Sequence, residues 1–142
     1  MTTRTLLVIR LPVLPMPEMS VNAFLGNGTH WERAKARGAQ VQAWLWELKI
    51  AGAHLVPPLR PEDYPVSVTV IVRGTGYRTD PSNWVGHLGI KVLLDCLTEP
   101  KGRKTYGLGV IKDDSARYVR AFRVDWEPDG EPETEVRIGG GA

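Results

Sequence analysis

The segment Val66-Ser67-Val68-Thr69-Val70-Ile71-Val72 constrains the fold more than any other stretch of the chain. Valines alternate with small hydroxyl residues, which is the two-residue period of a half-buried strand. Gly74-Thr75-Gly76 then breaks the run, as a turn or bulge does. Those glycines are not a phosphate-binding loop, because the lysine and spacing of that motif are absent. A first strand is expected over Leu6–Leu11, ended by Pro12 and the Pro15/Pro17 pair. Val110-Ile111 is long enough for a short strand. Tyr118–Trp126, where Arg117 and Arg123 alternate with Val119, Ala121 and Val124, reads as another. A last strand is expected near Thr134–Ile138, beyond the acidic, proline-rich turn Glu127–Glu133.

Two helices complete the pattern. Thr29 and Glu32 have the spacing of a capping box, and Trp31, Ala34, Gly38, Val41, Leu45 and Leu48 follow at helical intervals up to about Ile50. Gly38 inside that stripe predicts close packing, since glycine in a helix interior costs roughly 1 kcal/mol against alanine. Trp31, Trp44 and Trp46 are expected in core or dimer packing. Residues 51–65 hold four prolines and read as a loop, and a second helix follows Asn83 and ends near Leu97. The expected architecture is therefore an α/β domain of the α+β type: a small mixed sheet packed with two main helices.

Composition bounds what such a domain can do. With 142 residues one core suffices, and residues 1–138 read as one domain followed by a glycine-rich tail, 139–142, expected to be disordered. A formal net charge of +2 gives no bulk polycation, so any nucleic-acid surface has to come from clustered basic residues. The single cysteine, Cys96, lies among leucines and excludes an intrachain disulfide framework. The apolar run near the N-terminus is short and interrupted, and no stretch approaches a membrane span, so a cytoplasmic protein is expected. His30 and His54 have no partners at zinc-binding spacing.

The chemistry concentrates between Arg78 and Ser115. Asp80-Pro81-Ser82-Asn83 precedes the second helix, Lys91 and Asp95 stand four apart on it, and Lys112-Asp113-Asp114-Ser115 follows. Carboxylates from separate segments, with a lysine and nearby arginines, are what a nuclease needs to hold magnesium against a phosphodiester. The same aspartates also suit caps and turns, and Lys91 with Asp95 also suits a surface ion pair. His87 reads as a partly exposed helix residue, with a phosphate donor as the alternative. Arg33, Lys35, Arg37 and Lys49 read as a solvated helix face that could also meet phosphate. Arg73, Arg78, Lys101, Arg103, Lys104 and Lys112 are the candidate phosphate contacts.

The order Asp80, Asn83, a helical Lys91-x-x-x-Asp95-x-Leu97, then Gly109 and Asp113-Asp114, resembles RusA-type Holliday-junction resolvases. Leu11-Pro12, the proline-rich loop through Asn22 and the basic helix from His30 are also similar to that family. The resemblance implies a small dimeric, metal-dependent endonuclease of phage or prophage type, cutting four-way or branched DNA. It implies that Asp80 and Asp114 bind Mg2+ or Mn2+ and that Lys91 steadies the transition state or the attacking water. Asp113 is the weaker ligand candidate of its pair, Asp95 orients Lys91 or supports the helix, and Asn83 caps the helix or positions ligands. Ser82 stands where the family has a second aspartate, so it could act only through a neutral oxygen or a water. Lys91 also lies further from Asp80 than the family pattern, and the basic segment between Leu97 and Gly107 is longer.

Three readings follow. The first is a junction-resolving homodimer with Asp80, Lys91 and Asp114 as catalytic residues. The second is a non-catalytic DNA-binding relative whose metal site decayed at Ser82. The third is a structural protein in which the aspartates are scattered caps and turns.

Overall fold

The computed structural model describes residues 4–15, 29–77 and 87–140. Among them are four strands and two α-helices: β1 (Arg4–Leu11), α1 (His30–Ile50), β2 (Val66–Arg73), α2 (Leu88–Leu97), β3 (Val119–Glu127) and β4 (Glu133–Gly140). Two short 3-10 turns, Ala53–Leu55 and Pro61–Asp63, lie in the proline-rich loop. The strands form one mixed sheet in the order β1-β4-β2-β3. β4 runs antiparallel to both β1 and β2, and β3 runs parallel to β2. Parallel neighbours need a long crossover. Here it is α2 and the loop after it, and that connection carries the candidate chemistry.

The valines of β2 decide which face is covered. Val66, Val68, Val70 and Val72 are buried, and with Ile9, Leu11, Val136 and Ile138 they form the sheet's contribution to the core. Val41, Trp44 and Leu48 of α1, and Ile90, Leu93 and Leu97 of α2, supply the opposing side. Thr29 caps α1, its Oγ1 accepting from the Glu32 amide at 3.2 Å. The buried stripe of α1 runs through Gln40, Val41, Trp44 and Leu48, rotated from the one predicted. Trp44 takes the central place because its indole N–H can donate to the Gly89 carbonyl oxygen at 2.8 Å while the ring fills the core. Trp31 and Trp46 stand exposed instead, at 77% and 65%. Gly38 is exposed too, with open space where a Cβ would lie, so the expected close packing there is not found.

The tail prediction also needs correction at two of its four residues, Gly141 and Ala142 lying outside the described ones. Gly139 and Gly140 belong to β4, where they pair with Thr5 and Arg4 of β1. A Cβ on Gly140 would come within 3.0 Å of a Leu6 methyl, so the missing side chain is what admits Leu6. The short strand expected at Val110-Ile111 is reduced to one bridge between Ile111 and Thr98. No helix among the described residues is long and apolar enough to cross a membrane.

Candidate functional site

The site grows from the C-terminal end of α2. Thr98 closes the helix, donating its hydroxyl to the Asp95 carbonyl at 3.0 Å. The chain then makes a tight turn in which the backbones of Lys101 and Lys104 bond each other. It returns past the helix end at Gly107, where φ is +145° and a Cβ would lie 1.9 Å from the Thr98 carbonyl oxygen. Only glycine permits that approach. From there Leu108 N–H donates to the Cys96 carbonyl at 2.9 Å and Ile111 N–H to the Leu97 carbonyl at 3.0 Å. Two otherwise orphaned carbonyls of the helix end are thereby satisfied. The turn that follows carries Lys112, Asp113 and Asp114.

Together these segments line a cavity of about 410 Å³ whose walls include Arg37, Asp95, Glu99, Lys101, Lys104, Asp113 and Asp114. The sequence places these residues on a helix, a turn and a loop, and the fold brings them to one place. Four carboxylates face the cavity and differ in their commitments. Asp95 pairs with Arg37 of α1 at 3.2 Å, and Asp113 pairs with Lys101 at 3.0 Å. The Lys101 bond holds the Asp113 carboxyl below its usual range, with the Asp114 amide and the Ser115 hydroxyl adding to it. Glu99 and Asp114 are exposed and make no ion pair among the described residues.

Several predicted roles change. Asp95 does not pair with Lys91; Arg37 competes successfully, because its long fork reaches across from α1. Lys91 is exposed on α2, one turn before Asp95, and does not line the cavity. Lys104 is not a free phosphate contact. Its ammonium donates to the Asp95 carbonyl at 2.6 Å and the Thr98 hydroxyl at 2.5 Å, where a cation satisfies the negative end of a helix. Arg73 is on the sheet face away from the helices, bound to Glu127, Glu133 and Glu135, which raise its already high pKa. Its charge is already met by those three acids. Arg103 and Lys112 remain exposed. His87 is buried and caps α2, its Nδ1 accepting from the Gly89 amide at 3.1 Å. Burial pushes its pKa down to about 4. Asp80, Ser82, Asn83 and Arg78 lie outside the described residues.

Sequence reasoning missed Glu99 and understated Arg37. The signal for Arg37 was present: it stands four residues before Val41, on the same face of α1 as the buried stripe. Glu99 gave none, because its place depends on the return at Gly107.

Among the described residues no three His, Cys, Asp or Glu side chains gather into a group able to hold a metal ion. Magnesium commonly takes one or two carboxylates and fills the remainder with water and substrate oxygens. Asp114, an exposed and unpaired hard-oxygen donor at a water-accessible cavity, fits that demand as one ligand. Against protein-family models and curated proteins the chain has no significant match.

Proposed function

We propose that this chain is a metal-dependent endodeoxyribonuclease that cuts branched DNA, of the kind resolving four-way junctions. One observation supports it above the others. The crossover loop brings Asp114, free of ion pairs among the described residues, to a cavity also lined by Arg37, Lys101 and Arg103. A carboxylate kept free beside several cations suits a site that receives a cation and a phosphate together.

In this reading Asp114, with Asp80, holds Mg2+ or Mn2+, and Asp113 is a structural acid that anchors the turn through Lys101. A bound divalent cation supplies an activated water and stabilises the leaving oxygen. Arg103, at the cavity wall, takes the role of neutralising charge that builds on the phosphate, because Lys91 stands outside that wall. Arg103 and Lys112 hold the backbone on either side, contacts that position DNA and weaken with salt. A homodimer suits a substrate with two symmetric strands to cut, and the exposed Trp46 and Ile50, one turn apart on α1, offer an apolar face for it.

The test is cleavage of a labelled four-way junction in magnesium and in manganese, with Asp114→Asn beside the unaltered protein. Paired symmetric nicks are expected from the unaltered protein, reduced by at least about tenfold in the variant. Binding without nicks would instead favour the non-catalytic relative, which has its own supporting observation: Asp95 and Asp113 are both already neutralised. Cutting restored by Ser82→Asp would then identify a decayed site. Neither binding nor cutting would end the nucleic-acid reading.

A further inference from the structure

On the other side of the Lys112–Asp114 turn lies a second cavity, of about 480 Å³, which shares Glu99 with the first. Its volume falls within the ~300–1,000 Å³ usual for small-ligand pockets. Leu59, Tyr64 and Tyr118 give it apolar and aromatic walls, and Lys112 and Arg117 give it charge. Tyr64 and Tyr118 meet edge to face with ring centres 5.3 Å apart. The Tyr64 hydroxyl is fixed by accepting from the Lys112 backbone amide at 3.0 Å. The aromatic wall is therefore tied to the very turn that carries the acids.

Two cations of this pocket meet the Tyr118 ring. Lys112 Nζ and Arg117 Cζ lie 5.7 Å and 5.8 Å from the centre of the Tyr118 ring, and neither makes an ion pair among the described residues. An aromatic ring beside two unneutralised cations in a concave, partly apolar pocket is the combination that stacks a base and receives its phosphate. Glu99 has only acceptors, so its side of the pocket suits the amino edge of a base and repels phosphate.

We propose that this cavity is a nucleotide pocket, which takes one unpaired base of a DNA strand against Tyr118 and its flanking phosphate on Lys112 and Arg117. The choice of nucleic acid rests on the function proposed above, and the pocket deepens that reading. A duplex hides its bases in the stack, whereas a pair at a branch point lacks a stacking neighbour on one side, so extruding its base costs less. Sharing a wall with the acid-lined cavity, the pocket would set which phosphate lies nearest Asp114.

The experiment measures affinity in EDTA, where no cutting intervenes. The full chain is titrated with a short single-stranded oligodeoxynucleotide and with a blunt duplex of the same sequence. Tyr118→Leu should weaken single-strand binding by about five- to a hundredfold, the usual range for one lost stacking partner. Duplex binding should hold within about twofold, and Tyr118→Phe should behave as the unaltered protein. If Tyr118→Leu does not fold, Arg117→Gln, at an exposed position, carries the test. It should lower single-strand affinity and reduce the salt slope by about one. No single-strand binding by the unaltered protein, unchanged affinity in the folded variants, or equal losses on both DNAs would each overturn the pocket. Junction cleavage reports separately. Nicks that persist while Tyr118 proves irrelevant remove the pocket alone, and Tyr118-dependent binding without nicks removes the nuclease alone.

Discussion

The open face of the sheet and the cavity at the end of α2 are built from the same kinds of side chain and use them in opposite ways. On the sheet, Glu135 has no exposed surface, although the helices lie on the other side. Arg10 and Arg73 reach it at 3.3 Å and 3.0 Å, and Arg137 also bonds it. Arg73 extends the lattice to Glu127 and Glu133, and Arg123 pairs with Asp125 at the edge. The acids and bases of that face are largely matched to one another. Around the cavities the pairing is incomplete, so Asp114, Glu99, Arg103, Lys112 and Arg117 keep their charge available. A matched lattice covers a bare sheet; an unmatched rim is what the function proposed above requires. Net charge could not reveal this, since +2 describes both arrangements equally.

The largest expected contrast comes from removing one carboxylate from each region. Glu135→Gln should lose about 3 kcal/mol of folding stability by leaving arginines gathered without their acid. Asp114→Asn should change stability by less than about 0.5 kcal/mol. Denaturant unfolding of the two variants reads the difference, and similar losses would break the comparison. Acid gives the same test without mutation. Burial by itself would raise the Glu135 pKa, but its hydrogen bonds and charges with Arg73 and Arg137 prevail and hold it below 4.5. Its contribution is therefore full above 4.5 and fades as pH falls through the lower folded value.

A second acid-sensitive contribution, of at most comparable size, lies at the start of α2. The His87 pKa falls from 6.5 to about 4 in the folded chain because of burial. The unfolded chain takes up the proton first, so stability should decline as pH drops from 6.5 to 4, by up to about 3 kcal/mol in the whole window. His87→Asn keeps a capping acceptor and should flatten that slope in unfolding midpoints measured across the range. A slope unchanged in the variant would assign the acid sensitivity elsewhere, to lattices such as that of Glu135.

The smallest effects divide the basic loop in two. Lys104→Met should cost about 1–2 kcal/mol of stability, since two hydrogen bonds at the helix end are lost, with little change in DNA affinity. Arg103→Gln should do the reverse, leaving stability alone and lowering the salt slope of DNA binding by about one. If both variants lost only DNA affinity, Lys104 would belong with the unmatched rim.

How far the sequence reached can be seen from particular residues. The alternation in β2 was enough to name its buried face, and Thr29 was enough to mark the start of α1, because both signals are local. Arg73 looked like any other basic residue at a strand end. Its acids lie 54, 60 and 62 positions away, and only the strand order makes them neighbours. Gly139 and Gly140 read as a tail for the same reason: their place in β4 depends on β1, at the far end of the chain. In the candidate site, Asp113 and Asp114 were expected as one acid pair, and they share a cavity with Asp95 of the helix and Lys101 of the basic loop, while Lys91 does not line it. Their pairings were not legible, because Arg37 and Lys101 choose among acids by reach and not by spacing.

The clasp between the returning loop and α2 has a consequence for how the site can open. The amides of Leu108 and Ile111 are given to carbonyls of the helix's last turn, and Gly107 leaves no slack between them. The segment bearing the acids therefore has no private route to disorder. Hydrogen exchange at these amides should proceed with that of α2, as one cooperative unit. Whatever binds at Asp114 tightens the helix beneath it, and whatever loosens the helix is felt first at the acids.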